Sequence, residues 1–256
     1  MKRVFVCQDN VTGIFSALYD AWLECRKTGE AGVAVRGFLE QKLFCDYVES
    51  MPSAKKAAAV ERMILKNLGE TAARELYYAA LSRDGEKGEA ILGAMLAARK
   101  LRDSRRIMEQ LQEPHVARVF ELSRNVKNET HSFLEFIRFR ELESRILLAR
   151  IRPKNQVLSC IAPHFADRLP LENWMILDET WHMAAVHEKQ KQWVLVRDVP
   201  DFPGGQLKFS AQEEEMTRLW QGFCRSIAIE ERRNEKLQRT HLPLWYREHM
   251  VEFFPA

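Results

Sequence analysis

Histidines and carboxylates that could exchange protons are concentrated in one stretch of the sequence. Four of the seven histidines lie between residues 121 and 197, namely His131, His164, His182 and His187. A neutral imidazole titrates near pH 7, so a histidine held by a carboxylate is suited to general acid or base catalysis. We therefore predict His164 and His187 as candidate catalytic residues, with Asp178 to orient one of them. The alternative interpretation is that these histidines only cap helices or pack.

A second set of polar residues shares one face of a long predicted helix. His131 and Glu135 are four residues apart, and Arg138 follows seven residues after His131. This spacing places the three side chains on the same side of the helix. A histidine and a carboxylate at this spacing can bind a metal ion, but the pattern favours a simple i,i+4 hydrogen bond. We therefore expect no metal site.

The C-terminal part of the sequence combines basic and aromatic residues. The residues concerned are Arg232, Arg233, Lys236, Arg239 and His241, followed by Tyr246 in Leu-Pro-Leu-Trp-Tyr. Single-stranded nucleic acid needs positive charge for its phosphates and aromatic rings for its bases. These six residues are the predicted nucleic-acid-binding set. Glutamates in the same stretch, such as Glu235, would pair with some of these charges and weaken the interpretation.

Composition and cysteine spacing exclude several classes of protein. A formal net charge of +3 with 29% charged residues argues neither for nor against a polyanionic partner. The five cysteines include no close pair, which predicts thiols of a reducing cytoplasm rather than disulfides or a zinc or iron–sulfur site. The N-terminus turns polar too soon for a signal peptide, and no apolar run approaches the ~18 residues of a membrane span. We expect a soluble cytoplasmic protein with no membrane contact and no cofactor of its own.

Local signals predict the elements of the first half of the chain. Residues 4–7 are a short apolar run typical of a buried strand, and Asp9 and Asn10 can cap the helix that follows. The other elements expected here are a short strand near residues 33–35, a helix capped by Ser53, and helices over residues 70–82 and 86–102.

The second half is predicted to alternate helices and short strands. A helix begins at Pro114, a strand covers residues 146–151, and a helix over residues 157–169 contains Pro163. Because proline lacks an N–H donor, we expect a kink or a new helix start there, with His164 near a helix N-terminus that favours an anion. β-Prone runs at 174–177, 183–186 and 193–196 predict an antiparallel meander.

The last predicted helix follows a capping box formed by Ser210 and Glu213. Its apolar stripe is expected to be buried and consists of Met216, Leu219, Trp220, Phe223 and Ile227.

These elements predict a single, mostly helical α+β domain over residues 1–256. Its small, mainly antiparallel sheet would combine the first strand with the 146–197 segment, and would be covered by the helices of 52–112 and 210–236. Within this domain we expect a helical subregion at 52–112, a C-terminal helical segment at 206–256, and an internal boundary at the loop 200–205.

Several motifs carry a family resemblance. They are Ile161-Ala-Pro-His-Phe-Ala-Asp-Arg-Leu-Pro, Trp174-Met-Ile-Leu-Asp-Glu, Val186-His and Leu237-Gln-Arg-Thr-His-Leu-Pro-Leu-Trp-Tyr, with further likeness over residues 5–22 and 129–140. The chain thereby resembles a bacterial family of unknown function named radical-SAM-associated probable DNA metabolism protein. The resemblance implies a radical S-adenosylmethionine (SAM) protein as partner and a role in DNA repair or modification. Related domains are fused ahead of uracil-DNA glycosylase-like domains.

The resemblance also implies a set of pocket residues. Besides the candidate catalytic and nucleic-acid-binding residues, the family-like positions are His131, Glu135, Arg138, Phe139, Asp167 and Arg168. One departure is the pair Thr180-Trp181 after Asp178-Glu179, where the family pattern leads us to expect an arginine. This departure argues against an anion clamp at that point.

Three functional hypotheses remain open at this stage. The leading one is a DNA repair or modification accessory protein that binds nucleic acid and works with a radical SAM partner, which would perform any radical step. The alternative is a hydrolase or glycosylase-like enzyme, which requires His164, His187 and Asp178 to share one concave pocket. The second alternative is a protein-interaction scaffold, for which an exposed apolar patch would be the mark.

Overall fold

The computed structural model describes residues 1–200 and 207–253, which form an α+β structure as predicted. The chain divides into two compact units, Met1–Asn128 and Glu129–Ala256. Apart from Pro200, the loop predicted at 200–205 lies outside the described residues, as do residues 206 and 254–256 at the two ends of the predicted C-terminal segment. Within the described ranges, no helix is long and apolar enough to cross a membrane.

The first unit contains a three-stranded parallel sheet in the order β2-β1-β3. The strands are β1 (Lys2–Cys7), β2 (Gly32–Val35) and β3 (Cys45–Glu49). Phe5 of β1 lies opposite Val33 on one side and Val48 on the other. The prediction that the first strand joins the 146–197 sheet was therefore wrong. An apolar run predicts a strand but does not specify its partners, and the short strand β3, with no fully buried residue, was not predicted at all.

Local capping signals mark the starts of the first two helices of the first unit. The helices of this unit are α1 (Val11–Thr28), α2 (Ala54–Leu81), α3 (Lys87–Ala98) and a 3₁₀ helix, Ser104–Glu109. Asn10 caps α1 by accepting a hydrogen bond from Gly13 N at 2.8 Å, and Ser53 caps α2. Gly69 has a φ of 84° and breaks the axis of α2, as its position between two predicted helices indicated. The apolar faces of these helices pack with β1 and β2 in one core.

The second unit contains a five-stranded sheet in the order β4-β5-β6-β7-β8. The strands are β4 (Phe139–Glu141), β5 (Leu147–Ile151), β6 (Trp174–Asp178), β7 (Met183–His187) and β8 (Val194–Arg197). The antiparallel meander of β6, β7 and β8 confirms the prediction. β5 and β6 are parallel and are joined by the helix α5 (Leu158–Arg168). The helix α4 (Pro114–Phe136) precedes this sheet along the chain and begins at Pro114 as predicted.

Pro163 lies inside α5 and does not start a new helix. The buried residues of α5 include Ile161 and Phe165, which lie on either side of the proline. Because packing of an apolar face supplies most of the stability of a helix in a protein, it outweighs one missing backbone hydrogen bond here. The prediction that places His164 near a helix N-terminus was therefore wrong, since His164 lies in the middle of α5.

The C-terminal part of the second unit is a series of short helices. They are α6 (Ala211–Ser226), α7 (Glu235–His241) and the 3₁₀ helices Glu230–Arg232, Leu244–His249 and Val251–Phe253. Ser210 caps α6 by accepting a hydrogen bond from Glu213 N, as predicted. The apolar stripe of α6 is exposed, contrary to prediction: Trp220 and Phe223 are 43% and 51% exposed. Helical periodicity shows that a stripe exists but not that another element covers it.

Candidate functional site

The carboxyl ends of the parallel strands β5 and β6 lie side by side. Ile151 at the end of β5 is the register partner of Asp178 at the end of β6, and Glu179 N donates to Ile151 O at 3.0 Å. The residues that follow both strands, among them Arg152, therefore meet at one edge of the sheet. Ligands of α/β sheets commonly bind at such a carboxyl edge. We call this region the carboxyl-edge site.

Asp178 is fully buried in the carboxyl-edge site. Its Oδ1 accepts hydrogen bonds from the backbone N–H groups of Thr180 and Trp181, each at 3.0 Å. Its Oδ2 is also buried and has no hydrogen-bond partner in the described part of the chain. Burial raises the pKa of Asp178 to about 7; the two N–H groups oppose this rise, and the carboxylates of Glu129 and Glu179 add to it. This carboxyl group can therefore gain or lose a proton near neutral pH.

Glu179 holds two arginines at the same edge. Its Oε1 accepts a hydrogen bond from Arg150, and its Oε2 accepts one from Arg152 Nε at 2.6 Å. Arg152 also forms an ion pair with Glu248. Burial acts to raise the pKa of Glu179, but the hydrogen bond from Arg152 and the surrounding positive charges outweigh it, so that the pKa is lowered. Glu179 is therefore ionised at neutral pH.

His249 lies against this cluster from the C-terminal 3₁₀ helix. Its Nε2 is 3.4 Å from Glu179 Oε2 but lacks the geometry of a hydrogen bond. Burial lowers the pKa of His249. The negative charge of Glu179 opposes this decrease, and the positive charge of Arg150 adds to it. The imidazole is therefore neutral at pH 7.

A cavity of about 350 Å³ lies along the carboxyl-edge site. It is lined by Arg150, Arg152, Leu177, Asp178, Glu179, His182 and Pro200. His182 is exposed in the turn between β6 and β7, with a φ of 50° that is uncommon for residues other than glycine. Guanidinium groups beside a carboxyl group can bind a ligand that carries both an anionic group and a hydrogen-bond donor.

The structure does not bring the three predicted catalytic residues together. His187 is the register partner of Trp174, at the end of β6 opposite Asp178. Four residues of strand separate the two positions, which amounts to roughly 13 Å. The ring of His187 stacks on Trp174 at 5.0 Å, and its Nδ1 is 2.9 Å from the carbonyl oxygen of Glu172. His164 is exposed on α5, so the predicted trio was wrong as a single pocket, and only Asp178 lines the cavity.

The residues predicted from the family resemblance do not form one pocket either. His131 Nε2 lies 3.0 Å from Glu135 Oε1 on the exposed surface of α4, in the simple pairing that the spacing favoured. Arg138 pairs with Glu252 at 2.8 Å. Phe139 belongs to the apolar packing of the sheet, and Asp167 and Arg168 are exposed on α5. Within residues 1–200 and 207–253, no group of three or more His, Cys, Asp or Glu residues could hold a metal ion.

The predicted nucleic-acid-binding residues lie around a wide cleft in the C-terminal helices. This cleft has a volume of about 850 Å³, and we call it the basic cleft. Its charged lining among the described residues consists of Arg232, Arg233, Glu235, Arg239 and Arg247, with His241 beside them. Four arginines against one glutamate give the basic cleft a positive character. Lys236 lies next to it, with Arg239, along a smaller neighbouring cavity.

Glu235 pairs with part of this charge, as the sequence suggested. Its Oε1 is 3.1 Å from Arg233 Nη2, and its Oε2 is 3.4 Å from Arg239 Nη2. All three side chains are more than half exposed, so these pairs are weak and can exchange for contacts with a ligand. Arg247 is held more firmly, because its Nε and Nη2 both donate to Leu242 O.

Of the aromatic residues in this segment, Trp245 is better placed than Tyr246 to stack on a base. The ring of Tyr246 packs against Phe133 and Phe136 at centroid distances of 5.0 and 5.4 Å, and burial raises the pKa of its hydroxyl group. Trp245 is 46% exposed, with Lys154 Nζ at 5.6 Å from its ring centre. Tyr246 is therefore half-buried, and its assignment to the nucleic-acid-binding set stays a prediction.

The residues that share the carboxyl-edge site with Asp178 were not predicted from the sequence. Arg150 and Arg152 were not singled out, although the predicted order of strand, helix and strand over 146–177 indicates a parallel pair whose carboxyl ends meet. That order could have drawn attention to the residues after each strand. Glu129 and His249 come from distant parts of the chain, and no local pattern connects them to this edge.

Comparison with known families gives one result. The model of a family described as a domain of unknown function, DUF4130, matches residues 86–252. This range contains both the carboxyl-edge site and the basic cleft. It leaves out residues 5–22, so the likeness stated for that stretch stays a prediction. None of the curated proteins searched matches the chain.

Proposed function

Since the chain belongs to the DUF4130 family of domains of unknown function, we propose that it binds nucleic acid through the basic cleft and acts as an accessory protein of DNA repair or modification. The resemblance to radical-SAM-associated DNA metabolism proteins supports this role. The single observation that carries the proposal is the basic cleft, because it gathers the arginines predicted to contact phosphates along one exposed surface.

The dimensions and exposure of the basic cleft suit a flexible strand. Three arginines of the cleft are exposed, namely Arg232, Arg233 and Arg239. Their guanidinium groups can therefore contact phosphates without breaking a buried ion pair. Trp245 follows the cleft residue Leu244 in the chain and is not itself part of the cleft lining; its exposed ring offers a surface for base stacking, which contributes about 1–3 kcal/mol for each base in single-strand binding proteins. A single strand, with unstacked bases, can use both kinds of contact, whereas a duplex offers mainly phosphates. We therefore expect a preference for single-stranded DNA.

A radical SAM protein is the partner that the resemblance implies. The five cysteines of this chain are widely separated in sequence, whereas a radical SAM iron–sulfur cluster is held by closely spaced cysteines. In this proposal the partner performs any radical step, and the present chain supplies contacts to the nucleic acid. The resemblance also implies fusions of such domains to uracil-DNA glycosylase-like domains, which would suit a pathway that acts on damaged or modified bases.

The direct test is fluorescence anisotropy of labelled single- and double-stranded DNA at several salt concentrations. Replacing Arg239 with Ala and Lys236 with Ala should each weaken binding and reduce its salt dependence, because each variant removes one phosphate contact. The matched control is Lys191→Ala, which removes an exposed lysine, paired with Glu188, from another part of the unit. DNA binding that is undetectable at low salt, or that all three variants weaken equally, would show that the basic cleft is not the interface.

A hydrolase or glycosylase-like enzyme is the second candidate, because Asp178 has a pKa of about 7. A carboxyl group of this kind is suited to general acid or base catalysis. Its role would no longer involve His164 or His187, which lie elsewhere. Incubation of the protein with uracil-containing and abasic single-stranded DNA tests this candidate. Strand or base release that disappears in Asp178→Asn would support it, and absence of any product would remove it.

A protein-interaction scaffold is the third candidate, and the exposed apolar stripe of α6 favours it. Met216, Leu219 and Ile227 are each more than half exposed, and they lie on the same helix face as Trp220 and Phe223. Chemical cross-linking and size-exclusion chromatography with the radical SAM partner test this candidate. Complex formation that Leu219→Glu abolishes would support it, while an unchanged complex would show that α6 is not the contact.

A further inference from the structure

We propose that the cavity of the carboxyl-edge site binds a single nucleotide unit, with Asp178 accepting hydrogen bonds from an amino group of the base and Arg150 and Arg152 contacting the phosphate. This inference rests on the proposed nucleic-acid function and specifies a second binding site in the same unit. The basic cleft would hold the strand, whereas this cavity would hold one nucleotide.

The first argument is the unpaired oxygen of Asp178. Its Oδ1 is fully used by Thr180 N and Trp181 N, while its buried Oδ2 accepts no hydrogen bond from a described residue. A buried acceptor without a partner is unfavourable and rare in folded proteins. Asp178 lines the cavity but has no exposed surface, so an N–H donor of a ligand can provide the missing partner when the side chains that cover Oδ2 shift. Aspartate carboxylates bind the exocyclic amino groups of bases in this way.

The second argument concerns the two arginines at the same cavity. Arg150 and Arg152 each use part of their guanidinium group on Glu179, and Arg152 Nη1 also contacts Glu248. A guanidinium group has five N–H donors, so each arginine keeps donors for a second acceptor. Phosphate is a favoured acceptor for two arginines side by side. Glu179 fixes the arginines in place, which reduces the entropy lost when a ligand binds.

The third argument is size and position. Ligand pockets usually measure about 300–1,000 Å³, so a cavity of about 350 Å³ is at the lower end and suits one nucleotide rather than a longer segment. It lies at the carboxyl edge of the parallel pair of β5 and β6, and ligands of open parallel α/β sheets bind at the corresponding edge. An exposed histidine, His182, stands at its rim.

The charge state of Asp178 gives the site a specific pH dependence. Only the ionised carboxylate can accept hydrogen bonds at both oxygens, and with a pKa of about 7 this form increases as the pH rises through neutrality. The titratable and charged groups that surround Asp178 are Glu129 on α4, Arg150 on β5, Arg152 after it, and Glu179 and His182 in the following turn. We expect binding of amino-bearing nucleotides to strengthen between about pH 6 and pH 8.

The test is isothermal titration calorimetry of the full-length protein with dAMP, dCMP, dGMP and dTMP. The three bases with an exocyclic amino group should bind more tightly than dTMP. In Asp178→Asn, an amide N–H replaces the free oxygen, so binding of those three should weaken about tenfold or more while binding of dTMP stays the same or improves. The amide oxygen still accepts from Thr180 N and Trp181 N, so the turn is preserved. Asp167→Asn, an exposed aspartate on α5, is the matched control.

Several outcomes would overturn the proposal. The first is that none of the four nucleotides binds at millimolar concentration. The second is that Asp178→Asn weakens the binding of all four equally, and the third is that Asp167→Asn weakens binding as much as Asp178→Asn does. A second variant, Arg152→Ala, keeps the proposal open to refutation if Asp178→Asn unfolds. This variant should weaken the binding of every nucleotide but leave the binding of the corresponding nucleosides unchanged, because nucleosides lack the phosphate. Equal effects on nucleotide and nucleoside binding would contradict the assignment of Arg152 to the phosphate.

The nucleotide unit could be free or part of a strand, and a second arm distinguishes these sources. A single-stranded oligonucleotide with one 2-aminopurine, a fluorescent base with an amino group, brightens when that base leaves the stack. Brightening that Asp178→Asn abolishes indicates a base drawn from the strand; mononucleotide binding without brightening indicates a free ligand. If oligonucleotides bind through the basic cleft but mononucleotides do not bind, only this further inference fails. If mononucleotides bind and oligonucleotides do not, only the proposed function fails.

Discussion

The carboxylate of Glu179 and the guanidinium group of Arg152 are joined at 2.6 Å across the carboxyl ends of the parallel strands β6 and β5. Because the strands are in register, this contact ties together the two chain segments that form the floor of the cavity. Removing the charge of Glu179 would leave Arg150 and Arg152 without their shared acceptor, and the half-buried His249 without a neighbouring carboxylate. The energetics of this cluster lead to the first prediction.

Glu179→Gln should lower the free energy of unfolding at pH 7 by about 1–3 kcal/mol, because it weakens charge-assisted hydrogen bonds at a mostly buried acceptor. The folded-state pKa of Glu179 is depressed, so its stabilisation is present above the unfolded pKa and is lost as the pH falls through the folded pKa. The difference between wild type and variant should therefore shrink below about pH 4. Urea denaturation of both proteins between pH 7 and pH values below 4 measures this difference in the free energy of unfolding. Glu188→Gln, at an exposed ion pair with Lys191, should change stability by less than about 0.5 kcal/mol.

Asp178 should have the opposite pH dependence. Its folded-state pKa is raised to about 7, so the folded protein binds a proton that the unfolded chain releases above about pH 4. By linkage, the contribution of Asp178 to stability falls as the pH rises from about 4 to about 7. Compared with wild type, Asp178→Asn should therefore become progressively more stable over this range. Denaturation at pH 5, 6, 7 and 8 checks the trend, and exposed Asp167→Asn should show no such trend. A difference between Asp178→Asn and wild type that does not vary with pH would contradict the raised pKa of this buried carboxyl group.

Two tryptophans of the second unit should respond very differently to truncation. Trp174 is fully buried between Phe139 and the stacked ring of His187, so Trp174→Ala should destabilise the protein by about 3–5 kcal/mol. Trp220 is 43% exposed on α6, so Trp220→Ala should cost less than about 1 kcal/mol. Thermal and chemical denaturation of the two variants measure both values. A large loss for Trp220→Ala would mean that another surface covers α6 in solution, which would strengthen the scaffold candidate.

Local signals in the sequence predicted helix ends well but strand partners poorly. Asn10, Ser53 and Ser210 each cap the helix expected of them, because a capping hydrogen bond involves residues only two or three positions apart. The partners of β1 depend instead on the packing of a whole unit. For the same reason the first strand was assigned to the wrong sheet.

The candidate site was partly predictable for a related physical reason. Asp178 was identified as a carboxylate at the end of a strand, but its high pKa comes from burial and from Glu129, which lies on another element. A single sequence shows which residue types can act, whereas their pKa values and mutual distances depend on the tertiary structure. His187 illustrates the limit, since its type suggested catalysis while its stacking on Trp174 assigns it to the packing of the sheet.

The first unit contains a buried lysine that gives the last prediction. Lys87, at the start of α3, is completely buried, and its Nζ donates to Asp9 and to Ser82 O. Burial lowers the pKa of Lys87, while the carboxylate of Asp9 opposes this and stabilises the charged form. Asp9→Ala should therefore destabilise the protein by about 3–5 kcal/mol, because it leaves a buried charge without its partner.

The double variant Asp9→Ala/Lys87→Met should recover most of the stability lost in Asp9→Ala. It removes the charge together with its partner, and methionine fills a similar apolar volume, so the cost of burying an unpaired ammonium group disappears. Denaturant titration of wild type, both single variants and the double variant gives the coupling energy between the two residues. The exposed pair Arg106 and Glu109 serves as control, since Glu109→Gln should leave stability almost unchanged. If the double variant is no more stable than Asp9→Ala, the loss comes from Asp9 itself, through its position next to the cap of α1, rather than from the buried charge of Lys87.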